Sequence, residues 1–252
     1  MTFDPFGDFA TRGYLRNVFG EKNPEIIKRH EHHTFRLHVA EALDALRAGS
    51  SLRYSDILDT HRRLFSDYYP WAGQDRRALL PDLAVGKAGR YDIFAHPQDI
   101  RRAVGHALDL GLDPRVMRVR PGEVMGLLAY GHPFLDGNGR TLMVVHADLA
   151  RRADIHIEWE HIHKLPYLAA LTRELEHPGK ALDQFLGPFV RRGAISLSDT
   201  ADRLSRNTGL GPPMDVTPAV RAKVVTSTST LPEPDAPAGG DEPPEPSRGP
   251  RP

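Results

Sequence analysis

Apolar residues recur along the first two hundred positions mostly at helical spacing, three or four apart. Phe35, Val39, Leu43 and Leu46 form one stripe and predict a helix over 34–46. Ile57, Leu58, His61 and Leu64 predict a second over 54–64. Behind Pro97, the spacing of Ile100, Val104 and Leu108 predicts a third over 98–110. A helix over 121–130 opens with Pro121 in its first turn, where a missing N–H is no loss, and stops before Gly131. Another opens after Gly139 and runs over 140–152. A closing pair is expected over 165–175 and 182–190, with Gly187-Pro188 as a breaking point in the second. Val85 to Phe94 departs from the pattern: glycines mixed with β-formers read as a small hairpin. The expected fold class is mostly α, a helical bundle with a small β-hairpin flap.

Composition changes this picture in one place. Half of the 22 prolines lie between Pro212 and Pro252, in text with almost nothing apolar to bury. Residues 1–205 are therefore expected to be the folded domain and 206–252 a disordered Pro-rich tail. Basic and acidic residues balance at 33 each, which gives no reason to expect a nucleic-acid or anionic-membrane partner. No apolar run approaches the roughly 18 residues of a membrane helix, and Met1-Thr2-Phe3-Asp4 does not open like a secretory signal. The chain has no cysteine, so disulfides, thiolate catalysis and Cys-type zinc sites are excluded. A cytoplasmic location, or delivery into another cell, is the expectation that fits.

The chemistry concentrates between Gly131 and Arg140. Gly137-Asn138-Gly139 can turn successive backbone N–H groups inward as an anion nest. A helix is expected to start just behind it, and its open N–H groups and positive dipole end favour a phosphate there. Arg140 in the first turn opposes that dipole unless it reaches a phosphate. A carboxylate at Asp136, beside bound polyphosphate, makes sense with a magnesium ion between them. His132 can take a proton from an attacking hydroxyl. Each part alone has an ordinary reading: Gly-Asn-Gly as a turn, the histidine as a cap. Phe134 reads as a core anchor. Their coincidence in one loop argues for a site. Elsewhere, Arg29-His30-Glu31-His32-His33 invites a metal-site reading, but histidines near a helix start are more often solvated.

His132-Pro133-Phe134-x-Asp136-Gly137-Asn138-Gly139-Arg140 resembles the signature of the Fic (Fic/Doc) family, His-Pro-Phe-x-Asp/Glu-Gly-Asn-Gly-Arg-x-x-Arg. The resemblance extends to the helix segment from Ile57 to Phe65, to the turn Tyr69-Pro70-Trp71-Ala72-Gly73-Gln74-Asp75-Arg76, to the flap around Lys87–Pro97 and to the closing helices, and covers roughly 10–190. It implies a Fic-type bundle and transfer of AMP from ATP to a Ser, Thr or Tyr hydroxyl of a target protein. His132 would be the general base and Asp136 the magnesium ligand. Gly137, Asn138, Gly139 and Arg140 would bind the nucleotide. Lys87, Gly89, Tyr91 and Phe94 would form the flap that docks the target. The sequence departs from the family pattern at Met143, where relatives carry the last Arg, held to the terminal phosphate. That keeps UMP or phosphocholine transfer, or a nucleotide-binding toxin component with little catalysis, as alternatives. Many relatives also carry an inhibitory Ser/Thr-x-x-x-Glu-Gly/Asn helix. No Glu here is followed by Gly or Asn, which leaves room for a separate inhibitory antitoxin protein.

Overall fold

A computed structural model of the chain describes residues 14–82, 84–86 and 90–206. The expected tail over 206–252 lies outside them, except for Arg206. Among the described residues the fold is mostly helical, as expected.

Helix α1, Pro24–Ala48, starts ten residues before the apolar stripe suggested. Asn23 caps it by accepting from the Glu25 N–H, and Pro24 fills the first turn. The reason for the earlier start is Glu31, which occupies an inward position one turn from Ile27 and one from Phe35. A charged residue interrupts the periodicity there while the helix continues. Helix α2, Tyr54–Phe65, follows the expected stripe. A single turn, α3 (Arg76–Leu79), is capped by Asp75 through the Ala78 N–H.

Helix α4, Ile100–Gly111, is preceded by a short turn at Pro97–Asp99. Next come α5, Pro114–Val119, and α6, Pro121–Gly131. Helix α6 is buried along most of its length and packs against α4. Helix α7, Asn138–Arg152, is also largely buried and packs against α1, α2 and α6. These two helices form the centre of the bundle, and the loop between them is the sequence motif.

Helix α8, Lys164–Glu176, and α9, Ala181–Leu186, close α6 from outside. Gly122 lets α9 come close: a Cβ there would stand 2.3 Å from the Asp183 nitrogen. The helix expected over 182–190 ends at Leu186, because Gly187 and Pro188 form one tight turn and Pro188 has no N–H to give. Val190–Arg192 is instead a strand, β2, antiparallel to β1 (Ile155–Ile157), with Ile157 opposite Val190. Helix α10, Leu197–Arg206, follows and packs on α1.

The hairpin expected over 85–94 lies partly outside the described residues, which omit 87–89. On either side the chain doubles back: a Cβ on Gly86 would stand 2.4 Å from the Arg90 carbonyl oxygen. Regular strands among the described residues occur only in the β1–β2 pair.

Candidate active site

The loop between α6 and α7 is held from three sides. Helix α6 ends at Gly131 and is followed by His132, whose backbone is left-handed at φ 39° and ψ 60°. Asn138, the first residue of α7, folds back onto the loop. Its Oδ1 accepts from the Phe134 N–H at 2.8 Å, and its Nδ2 donates to the Phe134 carbonyl at 2.7 Å. Those two bonds set which way the amide faces. The same Nδ2 lies 3.2 Å from His132 Nε2, and it can only donate, so Nε2 carries a lone pair. The His132 ring also stacks on Phe94, with centroids 4.0 Å apart.

Phe134 goes to the core, as expected. It is fully buried and stacks on His61 at 3.8 Å. His61 carries the third fastening. The Gly73 N–H donates to its Nδ1 at 2.9 Å, so its Nε2 holds the proton and donates to the Asp136 carbonyl at 3.0 Å. Burial pushes the His61 pKa down to about 3, which keeps it neutral in this role. Gly137 sits directly above, at φ 75°, where a Cβ would meet Phe65 Cε2 at 2.7 Å and His61 Nε2 at 3.0 Å. Only glycine satisfies both the backbone angle and the space.

Beyond Gly137 the first amide of α7 to find a helical acceptor is that of Thr141, on the Gly137 carbonyl at 3.0 Å. The N–H groups of Asn138, Gly139 and Arg140 precede it at the open end of the helix. The sequence predicts a phosphate at this end of the helix. The Asn138 side chain, by contrast, is spent within the loop.

Arg140 turns back under this opening. Its Nη2 lies 3.0 Å from Glu31 Oε2 on α1 and 3.7 Å from Asp136 Oδ1, and its guanidinium covers the Phe65 ring at 4.8 Å. Nη1 is buried with no hydrogen-bond partner. Burial opposes the charge on Arg140, but Glu31 and Asp136 outweigh it and hold the pKa above its usual value. Glu31 also accepts from the Tyr69 hydroxyl. Sequence reasoning passed over this carboxylate because it looked like part of a solvated histidine run. Its spacing from Ile27 and Phe35 was the available signal.

Asp136 has a side chain one-third exposed at the rim. Its desolvating surroundings first, and Glu31 second, push its pKa up to about 7 against the pull of Arg140 and the Gly137 N–H. Two carboxylates thus share one guanidinium, and a cation at Asp136 would relieve the crowding. No group of three or more His, Asp or Glu among the described residues could hold a metal unaided. A single rim carboxylate nevertheless suits magnesium, which takes its remaining ligands from water and substrate phosphates.

Met143 lies one turn beyond Arg140 and is buried in the hydrophobic core. Of the flap residues, Lys87 and Gly89 lie outside the described residues. Phe94 is buried with Val85 and Ile93, and Tyr91 is partly exposed.

The Fic/DOC family model matches residues 51–150, from the start of α2 through the motif and most of α7. These residues are a Fic domain. The chain is 32% identical over 165 residues to the protein adenylyltransferase VbhT of Bartonella schoenbuchensis, covering 64% of this chain and 34% of that protein. It is 28% identical over 143 residues to the probable protein adenylyltransferase y4lH of Sinorhizobium fredii, covering 53% and 70%. The chain thus spans about a third of the first relative's length. Its fold is similar to the N-terminal Fic domain of a putative cell filamentation protein from Bartonella quintana with bound ADP, at TM-score 0.61 and 22% identity, covering 73% and 94% of the two chains. It is also similar to BepC of Bartonella tribocorum with bound AMPPNP, at TM-score 0.57 and 18% identity, covering 71% and 92%. Among the described residues, no helix is long and apolar enough to cross a membrane.

Proposed function

We propose that this Fic domain transfers AMP from ATP to a Ser, Thr or Tyr hydroxyl of a target protein. The observation that carries the reading is the 3.2 Å contact between Asn138 Nδ2 and His132 Nε2. It joins a basic nitrogen to the first residue of a helix whose N–H groups stand open. A base and a phosphate-receiving end on one rigid turn are what in-line nucleotidyl transfer requires.

In this reading the target hydroxyl displaces the Asn138 amide from the His132 Nε2 lone pair, and Nε2 takes its proton as the oxygen attacks the α-phosphorus. The bond from that phosphorus to the bridging oxygen breaks, and pyrophosphate leaves. Gly137, Asn138 and Gly139 would cradle the phosphates, with Gly137 as the turn that aims the open N–H groups of the residues behind it, and Arg140 would balance the phosphate charge from beneath. Asp136 would hold magnesium, which would offset phosphate charge. The flap from Lys87 and Gly89 to Tyr91 and Phe94 would receive the target main chain as an added strand. Phe94 stacked on His132 supports this, because it brings the end of the flap against the base. A cytoplasmic site of action and a separate inhibitory antitoxin belong to the same reading.

Another donor, for UMP or phosphocholine transfer, is the second reading. It is favoured by Met143, which is buried and offers the terminal phosphate no donor. Incubation with ATP, UTP or CDP-choline, each labelled in the transferred group, plus a cell lysate decides between them. Label should pass to protein from ATP, and His132→Ala should reduce transfer by roughly 10²–10⁴-fold. Excess chelator or Asp136→Ala should also abolish it. Label from UTP or CDP-choline alone would establish the second reading. No transfer from any donor would leave a nucleotide-binding component.

A further inference from the structure

Arg76 is a fully buried guanidinium outside the motif, and none of the steps above uses it. Among the described residues no carboxylate lies within ion-pair distance of it. Its contacts are carbonyl groups. Nε donates to the His132 carbonyl at 2.7 Å, and Nη2 donates to the Ala95 carbonyl at 2.8 Å. Nη2 also lies 3.5 Å from the Gly131 carbonyl oxygen. The Arg76 backbone N–H donates to the Pro133 carbonyl at 2.7 Å. One residue therefore meets three consecutive carbonyls, those of 131, 132 and 133. Nη1 is left buried and unpartnered.

The position explains the expense. Helix α6 ends at Gly131, so its last carbonyls have no helical donors, and a cation is favoured at that end of the dipole. His132 is then forced into a left-handed backbone that a residue with a Cβ adopts only when its surroundings impose it. The bonds from Arg76 to the carbonyl of His132 and to those on either side oppose relaxation of that backbone. The same guanidinium grips Ala95, whose own N–H donates to the Tyr130 carbonyl at 2.8 Å. Ala95 follows Phe94, the residue stacked on the imidazole. Arg76 thus fixes both the backbone that carries the ring and the segment that packs on its face.

We propose that Arg76 is a positioning residue for His132, setting where the imidazole points while taking no part in nucleotide binding. This rests on the reading of His132 as the base. A lysine could satisfy one carbonyl but could not span them, because it lacks the planar fork.

The test compares wild type with Arg76→Lys and Arg76→Gln. The kcat of transfer should fall by about 10–10²-fold, as expected for a displaced reacting group. The KM for ATP and the Kd for ADP should stay within threefold. Histidine side-chain NMR supplies a readout without catalysis, the His132 signal being assigned by its loss in His132→Ala. That signal should shift in Arg76→Lys while those of His61 and His146 stay in place. Unchanged kcat in a folded variant would overturn the proposal. So would a parallel loss of ADP binding and movement of all the histidine signals, which would make Arg76 a general fold residue. If neither variant folds, wild type decides: the Arg76 Nε–H should exchange slowly with solvent, and rapid exchange would rule out the bond to His132. Absence of transfer in wild type, with the His132 signal still responding to Arg76→Lys, would sink the proposed activity but leave the positioning role.

Discussion

Arg140 Nη2 and Glu31 Oε2 lie 3.0 Å apart, and both side chains are buried. They come from positions 109 apart in the chain and join α7 to α1 beneath the open helix end. Buried pairs of this kind add little over an apolar replacement of both partners, but removing one partner strands the other charge. Glu31→Ala should therefore lower stability by about 3–5 kcal/mol. Glu31→Gln, which keeps one oxygen to accept from Arg140 and turns an NH2 toward the Tyr69 hydroxyl oxygen, should cost less. Denaturant titration of both variants measures the difference. Equal and small losses would mean that Arg140 finds another partner.

Gly137 and Gly20 both have left-handed backbones, at φ 75° and φ 64°. Only Gly137 is also crowded, while nothing lies within 4 Å of a Cβ on Gly20. Gly20→Ala should cost about 1 kcal/mol, from backbone strain alone. Gly137→Ala should cost more and weaken nucleotide binding at least tenfold, since Phe65 and His61 would push the turn and its amides aside. Paired melting curves and calorimetric titration of ADP check this. Similar costs at the two sites, with binding intact, would remove Gly137 from the cradle.

His146 is fully buried, donates from Nε2 to the Pro121 carbonyl at 2.7 Å, and has its pKa pushed down to about 4 by burial. An unfolded histidine titrates near about 6.5. Above that pH both states are neutral and stability is complete. As the pH falls from about 6.5 toward 4, the unfolded chain takes a proton that the folded one refuses. Stability should drop by roughly 1.4 kcal/mol per pH unit from this group. His146→Gln should flatten the slope of unfolding free energy between pH 6.5 and 4 by about that amount. An unchanged slope would show that His146 titrates normally in the folded protein.

Met143 is 1% exposed in the core. Met143→Leu conserves volume and should change stability by less than about 1.5 kcal/mol. Met143→Arg should bury an unpaired cation and lower the melting temperature sharply. Thermal melts and titrations of ATP against ADP would test both. A stable Met143→Arg protein with ATP affinity raised tenfold, and ADP affinity unchanged, would place this position at the terminal phosphate instead.

Local pattern determined much of this protein from sequence alone. The period of the apolar residues marked α2 and α4 closely, because each buries one stripe against neighbours and the stripe is written in consecutive text, while Pro121 and Gly131 marked the ends of the largely buried α6. The motif marked its own loop for a similar reason: His132, Asp136, Gly137 and Arg140 stand close together in the chain, so spacing along it is nearly spacing in space. What that text could not carry was the support around the loop. Glu31 looked like a solvated charge until the fold set it against Arg140. Arg76 read as part of a family turn, and only tertiary packing put it under the carbonyls of 131–133. His61 matched a helical stripe, yet its two ring nitrogens serve Gly73 and Asp136. Charged and hydrogen-bonding side chains are tolerated inside a protein only when partners meet them. Those partners lie 12 to 109 positions away, a distance that periodicity over three or four residues does not reach.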